Sequence, residues 1–148
     1  MEKRTARSRA VPQQLFRALA DRTRLRLLNL MGEQEICVCY FVEVIGTNQP
    51  KISRHLAYLR RAGVVTARRS GKWMHYRIVV PADARAASIL RNTLDWVSQD
   101  PQMQRDRQRL TRASCAPQSF VRLQAAPLPA PVPKRELAAA ARAPERNV

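Results

Sequence analysis

The sequence predicts a mainly α-helical domain with one small β-hairpin, ordered as a winged helix-turn-helix. Three observations predict it. Amphipathic helical patterns follow one another up to Gly63, two β-prone runs flank Ser70-Gly71, and helical spacing returns after Pro81. A length of 148 residues suits one domain with appendages.

Pro12 opens a first helix with Leu15, Phe16 and Leu19 on one side. Asp21 caps a second helix, in which Leu25, Leu28 and Met31 recur at helical spacing, and Gly32 stops it. A third helix is expected from near Ile36 to about Ile45, and Gly46-Thr47-Asn48 reads as the turn. Asn48 caps a fourth helix because its side-chain oxygen accepts from the free N–H groups of the first turn. Pro50 fits there, since its missing N–H would have no intrahelical partner. This helix runs to about Ala62 and stops at Gly63. It carries two stripes: Ile52, Leu56 and Leu59 point inward, and Lys51, Arg54, His55 and Tyr58 point outward.

Val64–Arg69 and Trp73–Val79 read as the hairpin. Asp83 caps a last long helix with Ala86, Ile89 or Leu90, Leu94 and Val97 on its apolar side, ending near Asp100-Pro101. Residues 102–113 are a basic stretch that adds helical turns. From Cys115 the composition changes to Pro, Ala and Arg, which predicts a disordered or polyproline-like tail with a helical turn around Lys134–Arg142. The expected organisation is a basic arm (1–11), a winged helix-turn-helix domain (12–100), an extension carrying Cys115 (101–115) and the tail (116–148).

The formal net charge is +16, which favours a polyanionic partner, nucleic acid first. More specific is the absence of any acidic residue between Val44 and Ala82, a stretch that holds Lys51, Arg54, Arg60, Arg61, Arg68, Arg69, Lys72 and Arg77. Phosphates repel carboxylates, and each neutralised phosphate releases counterions. Gln49, Ser53, Arg54 and His55 lie early in the fourth helix, where a recognition helix meets base edges. Arg68, Arg69, Lys72 and Arg77 suit phosphates or the minor groove. The expected DNA-contacting set is therefore Asn48, Gln49, Lys51, Ser53, Arg54, His55, Tyr58, Arg68, Arg69, Lys72 and Arg77. His55 and His75 sit among basic neighbours that disfavour a cation, so both read as DNA-facing or wing residues rather than metal ligands.

Other classes are excluded on similar grounds. The N-terminus, Met1 to Ala10, lacks an apolar signal core, and no apolar run approaches membrane-spanning length. Reduced thiols in a cytoplasm are expected. No Ser/His/Asp set, Gly-rich phosphate loop or catalytic carboxylate pair is visible. Cys115 precedes Arg122 by one residue too many for a Cys-x5-Arg oxyanion loop. An enzyme is not expected.

Cys37 and Cys39 form a Cys-x-Cys pair. On a regular helix they would point about 200° apart, so an ion holding both sulfurs must bend or unwind the helix. Placed in a first helical turn, Cys37 is expected to favour its thiolate. Soft thiolates select thiophilic ions. The same pair also suits a sensor of oxidants or reactive sulfur, and the bland alternative is two small buried apolar residues.

Ala20–Leu28, Glu35-Ile36-Cys37-Val38-Cys39 and Asn48–Leu56 together resemble the ArsR/SmtB repressors, and most of all their arsenic-sensing branch, with its Glu-Leu-Cys-Val-Cys-Asp-Leu motif. The resemblance covers about residues 12–99. It implies a homodimeric winged-helix repressor that leaves its operator when trivalent arsenic or antimony binds. It also implies a dimer seam on the first and last helices, at Leu15, Leu19, Leu90, Leu94 and Val97. Two departures stand out: Tyr40 replaces the motif's Asp, and Val42 stands where a third cysteine often follows. Cys115 is the remaining thiol and the candidate third ligand, from the same chain or its partner. A small-molecule thiol or water is the alternative.

Overall fold

The computed structural model describes residues 11–133. Six α-helices and a small antiparallel sheet follow in the order α1 (Pro12–Leu19), α2 (Arg22–Met31), β1 (Gln34–Cys37), α3 (Val38–Ile45), α4 (Gln49–Arg61), β2 (Val65–Ser70), β3 (Trp73–Ile78), α5 (Ala84–Val97), α6 (Pro101–Cys115) and β4 (Ala130–Pro131). Single 3₁₀ turns at Pro117–Ser119 and Val121–Leu123 lie between α6 and β4. The expected winged helix-turn-helix is present. Among these residues no helix is long and apolar enough to cross a membrane.

Local chemistry sets the helix ends. Asp21, Asn48, Asp83 and Asp100 each accept backbone N–H bonds at the start of α2, α4, α5 and α6. Gly46 ends α3 at φ 76°, the left-handed conformation that glycine adopts without steric penalty. Leu27, Leu28, Phe41, Ile52, Leu56, Leu59 and Leu90 meet in one core beneath α4 and the sheet.

The third helix begins later than its spacing suggests. Residues 34–37 are strand, and α3 starts at Val38. The cause is non-local: β1 pairs antiparallel with β3, with Ile36 opposite Tyr76 and Cys37 opposite His75. A short apolar run does not distinguish helix from strand until such a partner arrives. The hairpin therefore becomes the outer part of a sheet ordered β2-β3-β1-β4.

The helical turns expected over residues 102–113 are present, and residues 116–133 depart from expectation. α6 is a full amphipathic helix whose Met103, Asp106, Leu110 and Ala113 are buried as it packs on α2 and α3. Arg26 holds the fully buried Asp106 in a two-pronged ion pair, at 2.6 and 2.9 Å. Residues 116–133 are not a free tail. Leu123 and Val132 are buried, Arg122 pairs with Glu43, and β4 pairs with β1 through Gln34–Pro131 and Glu35–Ala130. The basic residues 1–10 and the helical turn expected at Lys134–Arg142 lie outside the described residues.

The residues expected at a dimer seam differ in their exposure. Leu15, Leu19 and Leu90 are buried within one chain, while Leu94 and Val97 are half-buried. The large apolar side chains left exposed on these helices are Phe16 and Trp96.

Candidate thiol site and DNA-reading face

Cys37 occupies a junction. It is the last residue of β1 and the N-cap of α3. The expectation that both thiols ride on helix is thereby corrected: Cys37 has extended backbone (φ −67°, ψ 142°), and only Cys39 lies within α3. The pair need not sit on opposite sides of a coil, and the Cys37 thiol has the Cys39 side chain as a neighbour. Cys37 is fully buried, while Cys39 is half-buried and gives the pair a way in from solvent.

The expected thiolate at Cys37 is also corrected. Burial pushes this thiol up to about 11, and the adjacent Cys39 thiol pushes the same way. Backbone N–H groups of Cys39 and Val38 pull it down without overcoming desolvation. Among the described residues no side-chain hydrogen bond caps α3. At neutral pH Cys37 is a protonated, buried thiol.

Around the junction lies a polar cluster built on the sheet. Glu35 accepts from Arg68 Nη2 at 2.6 Å and Nε at 3.1 Å. The Arg68 hydrogen bond holds the Glu35 carboxyl below its ordinary range. His75 lies 4.0 Å from the same carboxylate oxygen. Burial lowers the His75 pKa, and Arg68 lowers it further, so the ring is neutral at pH 7. On α3 the Tyr40 side chain is fully buried. Its hydroxyl has no hydrogen-bond partner among the described residues. Burial raises the Tyr40 pKa, and both cysteines are near enough to add to the rise. Cys115 is exposed at the end of α6. Among the described residues no three His, Cys, Asp or Glu side chains come together as a metal site, so Cys115 does not join the pair within this chain.

The residues expected to contact DNA divide into two groups. Gln49, Lys51 and Arg54 on α4, and Arg69 and Lys72 at the wing tip, are exposed. The others are occupied by the fold. The Asn48 oxygen caps α4 by accepting from the Lys51 N–H at 3.0 Å. Ser53 is half-buried. His55 Nδ1 lies 3.6 Å from Asp21. Arg24 stacks over the Tyr58 ring at 4.2 Å, with Arg61 at 5.8 Å. Arg68 is committed to Glu35, and Arg77 is half-buried beside that carboxylate. Lys72 covers the ring of Trp73.

Residues 21–67 match the family described as bacterial regulatory protein, arsR family. The chain is 41% identical over 107 residues to the arsenical resistance operon repressor of Escherichia coli K12, covering 72% of this chain and 90% of that protein. It belongs to the arsR family. It is therefore a DNA-binding transcriptional regulator and not an enzyme. The arsenic resistance transcriptional regulator ArsR1 of Pseudomonas putida is 43% identical over 94 residues, spanning 60% of this chain and 73% of that one. Among solved structures, HlyU from Vibrio cholerae N16961 aligns with a TM-score of 0.52 at 25% identity, over 67% of this chain and all of that one.

Sequence reasoning missed the neighbours of the thiol pair: Glu35 and His75 from the sheet, and the buried hydroxyl of Tyr40. The Glu35–Arg68 contact had one available signal, opposite charges two residues before Cys37 and within the hairpin. The pairing of Cys37 with His75 had none.

Proposed function

We propose that this chain represses transcription by binding an operator as a homodimer, and that trivalent arsenic or antimony on Cys37 and Cys39 releases it. The observation that carries this reading is the place of Cys37, where β1 ends and α3 begins. Two bodies diverge from that point. α3 packs against the reading helix α4. β1 pairs with β3, where Cys37, His75 and Arg68 form one rung across three strands. An ion that draws the two sulfurs together displaces the junction and strains both paths at once.

In this reading Gln49, Lys51 and Arg54 meet the major groove, and Arg69 and Lys72 meet the flanking backbone. Two copies of α4 about 34 Å apart would match successive turns of DNA. Phe16 and Trp96 offer apolar surface for the dimer. The E. coli and P. putida relatives, both named for arsenic resistance, support the choice of effector. The oxidant-sensing alternative is disfavoured by the buried, protonated Cys37 thiol, since the reactive form is the exposed thiolate.

Operator retention under reducing conditions tests the reading. Saturating arsenite is expected to weaken operator binding by about 10- to 100-fold, the range of ordinary allosteric coupling. Reciprocity requires bound operator to weaken arsenite by the same factor. Unchanged retention would end the reading.

A further inference from the structure

We propose that the Tyr40 hydroxyl donates a hydrogen bond to an oxygen ligand on a trivalent metalloid held by Cys37 and Cys39, an inference that rests on the thiol pair being the effector site. The bound species is then a complex of two sulfurs and one hydroxyl.

Two independent observations meet here. The first is a missing ligand. Trivalent arsenic takes three donors, the pair supplies two, and among the described residues no third His, Cys, Asp or Glu completes a cluster. The second is a surplus donor. Tyr40 is fully buried with an unpartnered hydroxyl, and a buried donor without an acceptor is destabilising. A phenylalanine would fill the same space without that penalty. Tyr40 is also the third residue of α3. The N-cap of that helix is Cys37, and both Cys37 and Cys39 lie near enough to Tyr40 to act on its hydroxyl electrostatically.

The chemistry balances without an oxidant. Arsenous acid meets two neutral thiols, two As–O bonds break and two As–S bonds form. Each S–H proton leaves with a hydroxide as water, arsenic stays trivalent, and one As–OH remains. That hydroxyl accepts from the Tyr40 O–H. The half-buried Cys39 makes the first exchange and the buried Cys37 the second.

The test compares the full-length chain with Tyr40→Phe, using arsenite and phenylarsine oxide as probes. Phenylarsine oxide also binds two thiols, but its third arsenic substituent is a carbon that accepts no hydrogen bond. Tyr40→Phe is expected to keep operator affinity, to melt somewhat higher than the wild type because the unpartnered hydroxyl is gone, to bind arsenite about 5- to 10-fold more weakly, and to bind phenylarsine oxide as the wild type does. X-ray absorption of the wild-type arsenite complex is expected to give two As–S bonds and one As–O bond, a readout that needs no variant. Equal arsenite affinity in the two proteins, equal loss with both probes, or three As–S bonds would overturn the role of Tyr40 while leaving the thiol site standing. A wild type that binds neither arsenical would remove the thiol site itself.

Discussion

α3 and α4 are consecutive helices of one helix-turn-helix, and they begin in opposite ways. α4 opens on Asn48, whose side chain closes the first turn by accepting from Lys51. α3 opens on Cys37, whose buried sulfur is approached by the Val38 and Cys39 N–H groups but makes no cap hydrogen bond of the kind Asn48 makes. Both N-cap residues are extended, so the backbone prepares the same cap twice and the side chains use it once. An ordinary cap contributes about 1 kcal/mol. α4 is therefore fastened at its start by a side-chain bond, while the start of α3 is held by burial and strand pairing.

Exchanging the thiols should break this contrast most severely. Cys37→Ser or Cys39→Ser is expected to abolish the arsenite response, removing the whole of the about 10- to 100-fold weakening, while unliganded operator affinity stays within about threefold. Serine at 37 also offers α3 the hydroxyl cap it lacks, so the melting temperature should hold. Loss of DNA binding in both variants would mean that the sulfurs serve packing alone.

A smaller effect tests the same buried thiol by pH. Cys37 titrates at about 11 in the folded chain, against about 8.5 in an unfolded one. Below the lower value both states keep the proton and this group contributes no slope. Above it the unfolded chain loses its proton first, so stability falls as pH rises toward 11. The wild type should therefore lose up to about 2–3 kcal/mol more than Cys37→Ser between pH 8 and 11. Parallel thermal melts of the two proteins would show instead that burial of this sulfur does not govern its ionisation.

The smallest expected effect lies on the fastened side. Asn48→Ala should cost about 1 kcal/mol in a denaturant melt and weaken operator binding without changing the fold-release by arsenite. A changed arsenite response would show that the start of α4 belongs to the sensing machinery.

What was legible in the sequence follows the same division. Asp21, Asn48 and Asp83 announce their helices because capping is a local bond, three residues long at most. The inward row Ile52, Leu56, Leu59 and the hairpin turn at Gly71 are local as well. β1 is strand only because β3 lies beside it, and no window around Cys37 contains β3. The apolar spacing of Met103, Leu110 and Ala113 was readable but masked by arginines between them. Residues 116–133 depart from the disorder that their proline content suggests, because an edge strand tolerates Pro131 by asking nothing of its missing N–H. The thiol pair itself was plain from its spacing. Its surroundings were not, since Tyr40 acquires meaning only once burial has stripped its hydroxyl of partners.

The short β4 has a consequence for assembly. By lying along β1 it takes the flank of the sheet that would otherwise stay open beside the sensor. An open flank templates foreign strands. A chain ending at Cys115 would expose that flank, and its hazard would be stacking of one sheet onto the next molecule's. With β4 in place, the edges of the sheet are β2 and the two-residue, proline-containing β4.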